Sequence, residues 1–189
     1  VPANAAFATT QPFTESDTGQ GLVENVHYLD AQGEEQVAAQ AVALDKESES
    51  SMIALNESNG ANGWYVLTKS IDTWDTLYIS GDVNLILSDN TAFSTKNGVR
   101  FRGSSGSLTI YSQSTGDDQG KLTAVNTSEN AAIECKAGTA ITINGGIINA
   151  TAGSSEDESR AAAIGGGKGK DSGSITINGG TVTATTYYK

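Results

Sequence analysis

The sequence predicts an all-β protein, a right-handed parallel β-helix of about four rungs with an amino-terminal strand or hairpin cap. Three observations predict it. First, residues 141–150 read ITINGGIINA and residues 175–184 read ITINGGTVTA, a near-identical decapeptide recurring after 34 residues. Second, the 189 residues include 22 Gly but 2 Pro, and charged residues make up 17%. Such a chain suits many short strands and tight turns rather than a helix bundle or a disordered segment. Third, short stretches alternate apolar and polar side chains with the period of two that one buried sheet face requires.

Taken in order, residues 1–24 form a flexible opening. Within it, Val1–Ala8 reads VPANAAFA and Ala6-Phe7-Ala8 has the small-x-small form of a signal-peptidase site. It is expected to be a signal-peptide remnant of a secreted or cell-surface protein. Residues 25–63 form a cap and loop. Val26–Asp30, a turn at Ala31–Glu34 and Gln36–Leu44 suggest a hairpin, although Val37, Ala41 and Leu44 also fit a helical stripe. The hairpin is preferred because a strand can pair onto the first coil and cover its end. Residues 45–62 read as a polar loop, and residues 64–189 as the β-helix.

Within that region three columns of inward residues are expected. The first contains Leu77/Ile79, Leu108/Ile110, Ile141/Ile143 and Ile175/Ile177, with Tyr78, Thr109, Thr142 and Thr176 facing outward between them. The second contains Val83/Leu85/Leu87, Leu122/Ala124, Ile148/Ala150 and Val182/Ala184, and the third Val99/Phe101, Ile133/Cys135 and Ile164/Gly166. Tyr187 and Tyr188 follow the last strand as a lid. Parallel crossovers are almost always right-handed, which sets the expected hand.

The segment Ala163-Ile164-Gly165-Gly166-Gly167, followed by ITINGGTVTA, resembles the Gly-rich β-helix repeats of large surface proteins from gut and anaerobic bacteria. GWYVLTKSIDTWDTLYISGDVNLILSDN with SLTIYSQSTGDDQGKLTA is similar to the entry module of such repeats. The resemblance covers residues 26–184 and implies a pectin-lyase-like β-helix on an exported or cell-attached protein. It implies adhesion, carbohydrate contact or stalk-building rather than one defined reaction.

Charge and rare residues narrow the chemistry. A formal net charge of −11 repels phosphate backbones, so no nucleic-acid partner is expected. No apolar run reaches the ~18 residues of a membrane span. One cysteine and one histidine, Cys135 and His27, make a Cys-rich zinc site or a histidine triad improbable. No cofactor and no catalytic residue is expected. Gly165-Gly166-Gly167-Lys168-Gly169-Lys170 lacks the spacing and following helix of a phosphate loop and reads as a corner. Asp117, Asp118, Asp157 and Asp171 are weak calcium candidates, placed on one edge by the repeat and offering the oxygen ligands that ion prefers.

The expected function is a non-catalytic exported surface module for adhesion or structural display. The alternative is a carbohydrate-binding module using an outer β-helix face, and a polysaccharide lyase or hydrolase ranks third. Sugar C–H groups stack on exposed aromatic rings, which singles out Trp64, Trp74, Tyr78 and Tyr111 as ligand-binding candidates. Arg100 and Arg102 flank Phe101 on one outward face, and Glu134 occupies the equivalent slot one repeat later, which predicts a cross-rung Arg–Glu pair. Expected partners are a glycan or host-surface ligand and, through an uncapped last rung, other copies of the chain.

Overall fold

The computed structural model describes residues 21–45, 53–153 and 161–187. Among them there are fifteen strands and no helix. The signal-like segment, Asp157 and Tyr188 lie outside the described residues.

β1 (Leu22–Leu29) and β2 (Glu35–Leu44) form the expected antiparallel hairpin. Its turn is held by the Asp30 carboxylate, which accepts the amides of Gln32 and Glu34, each at 2.9 Å. The helical reading of Gln36–Leu44 loses because the strand buries Ala38 and Ala41–Leu44 between two partners. After β2 the pairing becomes parallel. Val42–Leu44 align with β4 (Trp64–Leu67), which aligns in turn with the second half of β6 (Leu77–Leu87). β3 (Ile53–Asn56) pairs with the first half of β6. This strand falls in the stretch expected to be a polar loop; Ile53 and Leu55 supply a short period-two signal among polar neighbours, and Leu55 is fully buried.

Two sheets carry the rest. One runs from β6 to β8 (Val99–Ser112), whose two halves pair onward with β10 (Ile133–Glu134) and β11 (Thr139–Ile143). β10 then pairs with β13 (Ile164–Gly165) and β11 with β14 (Ser174–Ile177). The other sheet stacks β5 (Ile71–Thr73), β7 (Ala92–Thr95), β9 (Lys121–Asn126), β12 (Ile147–Ala152) and β15 (Thr181–Thr186), all parallel. One apolar core joins them, including Leu85, Phe93, Ile110, Leu122, Ile143 and Ile148.

The register corrects two of the expected columns. Leu77/Ile79 align with Val99/Phe101, not with Leu108/Ile110; Val83/Leu85 take that place. Phe93/Thr95, not Val83/Leu85/Leu87, stand beside Leu122/Ala124. The column of Val99, Ile133 and Ile164 is as expected. The reason is an uneven repeat: Val83, Leu108, Ile141 and Ile175 occupy one column at intervals of 25, 33 and 34 residues. Loops between strands lengthen the later turns, so the 31-residue match of Leu77-Tyr78-Ile79 to Leu108-Thr109-Ile110 is a coincidence of composition. Tyr78 accordingly leaves the outward threonine row, which is headed by Asn84.

β6 and β8 bend together. The register shifts between Ile79 and Gly81, and Gly81 pairs with Gly106. A Cβ on Gly106 would lie 2.5 Å from the Gly81 carbonyl oxygen, and both residues have positive φ. Only glycine allows this approach and backbone conformation together.

Candidate functional site

The bend divides the outer surface into two fields, and the predicted aromatic residues fall on both. On the second halves of β4, β6 and β8, outward Val66 and Ile86 are covered by the hairpin through Val26, Ala38 and Ala41. Tyr28 from the hairpin joins Trp64 and Tyr111, with ring centroids 5.0 Å and 4.6 Å away, and Trp64 stacks on Tyr111 at 5.4 Å. Gln113 donates to the His27 carbonyl at 3.1 Å, and Tyr111 donates to Asn84 at 3.3 Å. Burial raises the Tyr111 hydroxyl above the ordinary tyrosine range. Trp64 and Tyr111 thus hold the hairpin down and are unavailable as an open sugar platform. The hairpin's early residues were legible as strands, but not the face they cover.

On the first halves, the field is open. Trp74 is 75% exposed, and Lys96 Nζ sits 3.8 Å from its ring centroid. Both belong to stacked corners: the Lys96 amide donates to the Thr73 carbonyl at 3.1 Å, and the Thr76 hydroxyl to the Asn97 carbonyl at 3.2 Å. The chain passes from these corners into β6 and β8, where Tyr78 is level with Arg100. The Arg102 guanidinium lies 4.6 Å from the Tyr78 ring centroid. Cations over ring faces gain quadrupole attraction, and an indole is the best such face.

Glu134 lies one strand further, level with Arg100 through the pairing of Ile133 with Val99. The Arg–Glu pair is not what holds it. Its carboxylate accepts the Phe101 amide at 3.2 Å and faces Lys136 Nζ at 4.0 Å, while Lys136 donates to the Phe101 carbonyl at 2.8 Å. The backbone and a nearer cation out-compete a guanidinium that must reach sideways. Arg100 Nε is left buried without a hydrogen-bond partner. Lys96 and Lys136 belong to this field and were missed, because neither repeats in the sequence.

The remaining candidates separate. Asp117 and Asp118 lie between β8 and β9, whereas Asp171 lies between β13 and β14, at a different corner of the repeat. They do not share the expected edge, and no group of three His, Cys, Asp or Glu with metal-binding placement occurs among the described residues. Asp117 instead borders a groove of about 480 Å³ between the Asp30–Gly33 turn and the Asn144 and Asn178 corners. The Gly165–Lys170 run is a corner, with Lys168 paired to Glu129. Cys135 is fully buried, its thiol 3.2 Å from the Ser174 carbonyl oxygen, and burial raises its pKa. His27 pairs with Glu35 on the hairpin.

Residues 141–168 and 175–186 match the family model described as beta helix repeat. The matched stretches contain β11, β12, β14 and β15, so the chain carries a β-helix repeat segment. No curated protein matches the chain, and no solved structure does.

Proposed function

We propose that the chain is a non-catalytic display module of an exported or cell-surface protein. In this reading it winds as a right-handed parallel β-helix of about four rungs, capped by the β1–β2 hairpin, and makes contact through its uncovered outer field. The observation that carries the reading is the side-by-side pair of aromatic–cation contacts, Lys96 on Trp74 and Arg102 beside Tyr78. An indole this exposed, kept in place by stacked corners, offers a rigid apolar face flanked by donors. That combination suits sugars, whose C–H faces stack while hydroxyls take hydrogen bonds. The buried Arg100 N–H supports the same field as a contact surface, because a buried donor without a partner costs free energy until something accepts from it.

Adhesion through a glycan is therefore the favoured use, and support for the two functional expectations converges on one surface. The test is a glycan array followed by calorimetry with the full chain. Binding should be lost in Trp74→Ala and weakened at least tenfold in Tyr78→Ala, with the circular dichroism spectrum unchanged. Retention of binding in both variants, or no glycan held at millimolar concentration, overturns the reading. Release of new reducing ends or unsaturated products from a bound polymer overturns its non-catalytic part.

A further inference from the structure

The two sheets end on β14 and β15, and neither end strand has a neighbour on its far side. Ile175 and Ile177 continue the column of Ile141 and Ile143, which are buried, yet they are 38% and 54% exposed. Tyr187 does not close the end as the expected lid; it is itself 44% exposed. The free edge carries donors as well. Amides of Asn178, Thr181 and Tyr187 donate inward, to Ile143, Gly146 and Ala152. By strand alternation the amides of Ile175, Ile177, Val182, Ala184 and Thr186 point away from the molecule. Natural edges of this kind are blunted by lysine, proline or a covering element. Residues 174–187 contain no charged residue and no proline.

We infer that this end is a self-association surface whose occupant is the same end of a second copy. The opposite end supplies no match: Leu44, Leu55 and Leu77 are fully buried and Ile71 is 3% exposed, so a head-to-tail contact has nothing apolar to meet. A two-fold axis bisecting the Asn178-Gly179-Gly180 corner solves the geometry. Rotation about it lays β14 of one copy along β15 of the other, antiparallel, and does the same for the reciprocal pair. Every outward amide then faces a strand, and Ile175 and Ile177 meet the partner's Val182 and Ala184. Such an isologous contact closes at two copies.

The four- and six-residue edges extend for roughly 33 Å at ~3.3 Å per residue, and a ~10 Å depth gives a footprint on the order of 330 Å² per copy. The total is below the ~1,000 Å² of a permanent interface, so the dimer is reversible, with a dissociation constant on the order of 100 µM. Two copies of net charge −11 repel at long range, so added salt should tighten the contact rather than loosen it.

Sedimentation equilibrium of the full chain decides it. The mass-average should climb from 19.4 kDa towards twice that value between micromolar and millimolar concentration, with a several-fold tighter dimer at high salt. Ile177→Lys, at a residue already half exposed, and Ala184→Pro, at an amide facing outward, should each hold the chain at the monomer mass with an unchanged β-sheet spectrum. A monomer at every concentration overturns the inference. So does association that survives Ile177→Lys, or growth past two copies.

Discussion

Truncating one column of isoleucines at three depths tests whether the strands stack as their register indicates. Leu85, Ile110, Ile143 and Ile177 follow one another from β6 to β14. Ile110 and Ile143 are 0% exposed, and Ile177 is 54% exposed. Ile→Ala removes three carbons, worth roughly 2.4 kcal/mol at ~0.8 kcal/mol per buried methylene. An enclosed site adds a cavity contribution, which brings Ile110→Ala and Ile143→Ala to about 3–4 kcal/mol. Ile177 has already kept about half its surface in water and leaves no closed cavity, so Ile177→Ala costs about 1 kcal/mol. Urea unfolding followed by circular dichroism, at a few micromolar to keep the chain monomeric, measures all three. The stacking argument fails if Ile177→Ala destabilises as much as Ile110→Ala, or if either interior substitution costs less than about 1 kcal/mol.

Other outcomes follow from local geometry. Gly106→Ala should destabilise by about 2–4 kcal/mol, more than Gly33→Ala at about 1 kcal/mol, because both have positive φ but only Gly106 faces a backbone oxygen at 2.5 Å; urea midpoints check the order. Tyr28→Ala in a Trp74→Phe background should shift the Trp64 emission to longer wavelength as the hairpin loosens; an unchanged spectrum means the hairpin does not depend on the aromatic trio. Cys135 should resist a thiol reagent at mildly alkaline pH in the native chain and react at once in denaturant, since burial both covers the sulfur and disfavours its thiolate. The amides of Gln32 and Glu34 hold the Asp30 carboxyl below its ordinary pKa, so its contribution to the turn is complete above the ordinary aspartate range and lost as acidification passes below that range; the Gln32 and Glu34 amide shifts should titrate together, and Asp30→Asn should abolish that step.

The fold was legible where side-chain periodicity and a long repeat coincide. ITINGG at residues 141–146 and 175–180 gave the parallel pairing of β11 with β14 residue for residue. The amino-terminal half was harder because its turn lengths differ: with intervals of 25 and then 33 residues, similarity of triplets no longer indicates register. β3 was hidden for a related reason, since four residues among serines and glutamates give too short a pattern to outweigh their surroundings. For the candidate site, aromatic type could not separate Trp64 from Trp74. The difference lies in what covers them, and the covering hairpin is a contact between residues some forty positions apart. Trp74, Tyr78, Arg100 and Arg102 were found by residue type and alternation, whereas Lys96 and Lys136 required knowing which corners and strands stack.

The bend at Gly81 and Gly106 connects these observations. A straight β6–β8 pair would present one continuous outer face, and a hairpin long enough to bury Val66 and Ile86 would also lie over Tyr78 and Arg100. Because both strands turn at the same level, the hairpin can cover the second field completely and still leave the first in water. The same division explains the charges. Tyr28, Trp64 and Tyr111 lie where cations would be desolvated at a cost, while Lys96 and Arg102 rest on rings whose other faces stay hydrated. A substitution that straightens the bend should therefore disturb both fields at once. In Gly106→Ala, loss of Trp64 burial and loss of any ligand held by Trp74 should appear together, although residue 106 touches neither tryptophan; loss of one without the other would show that the two fields are set independently.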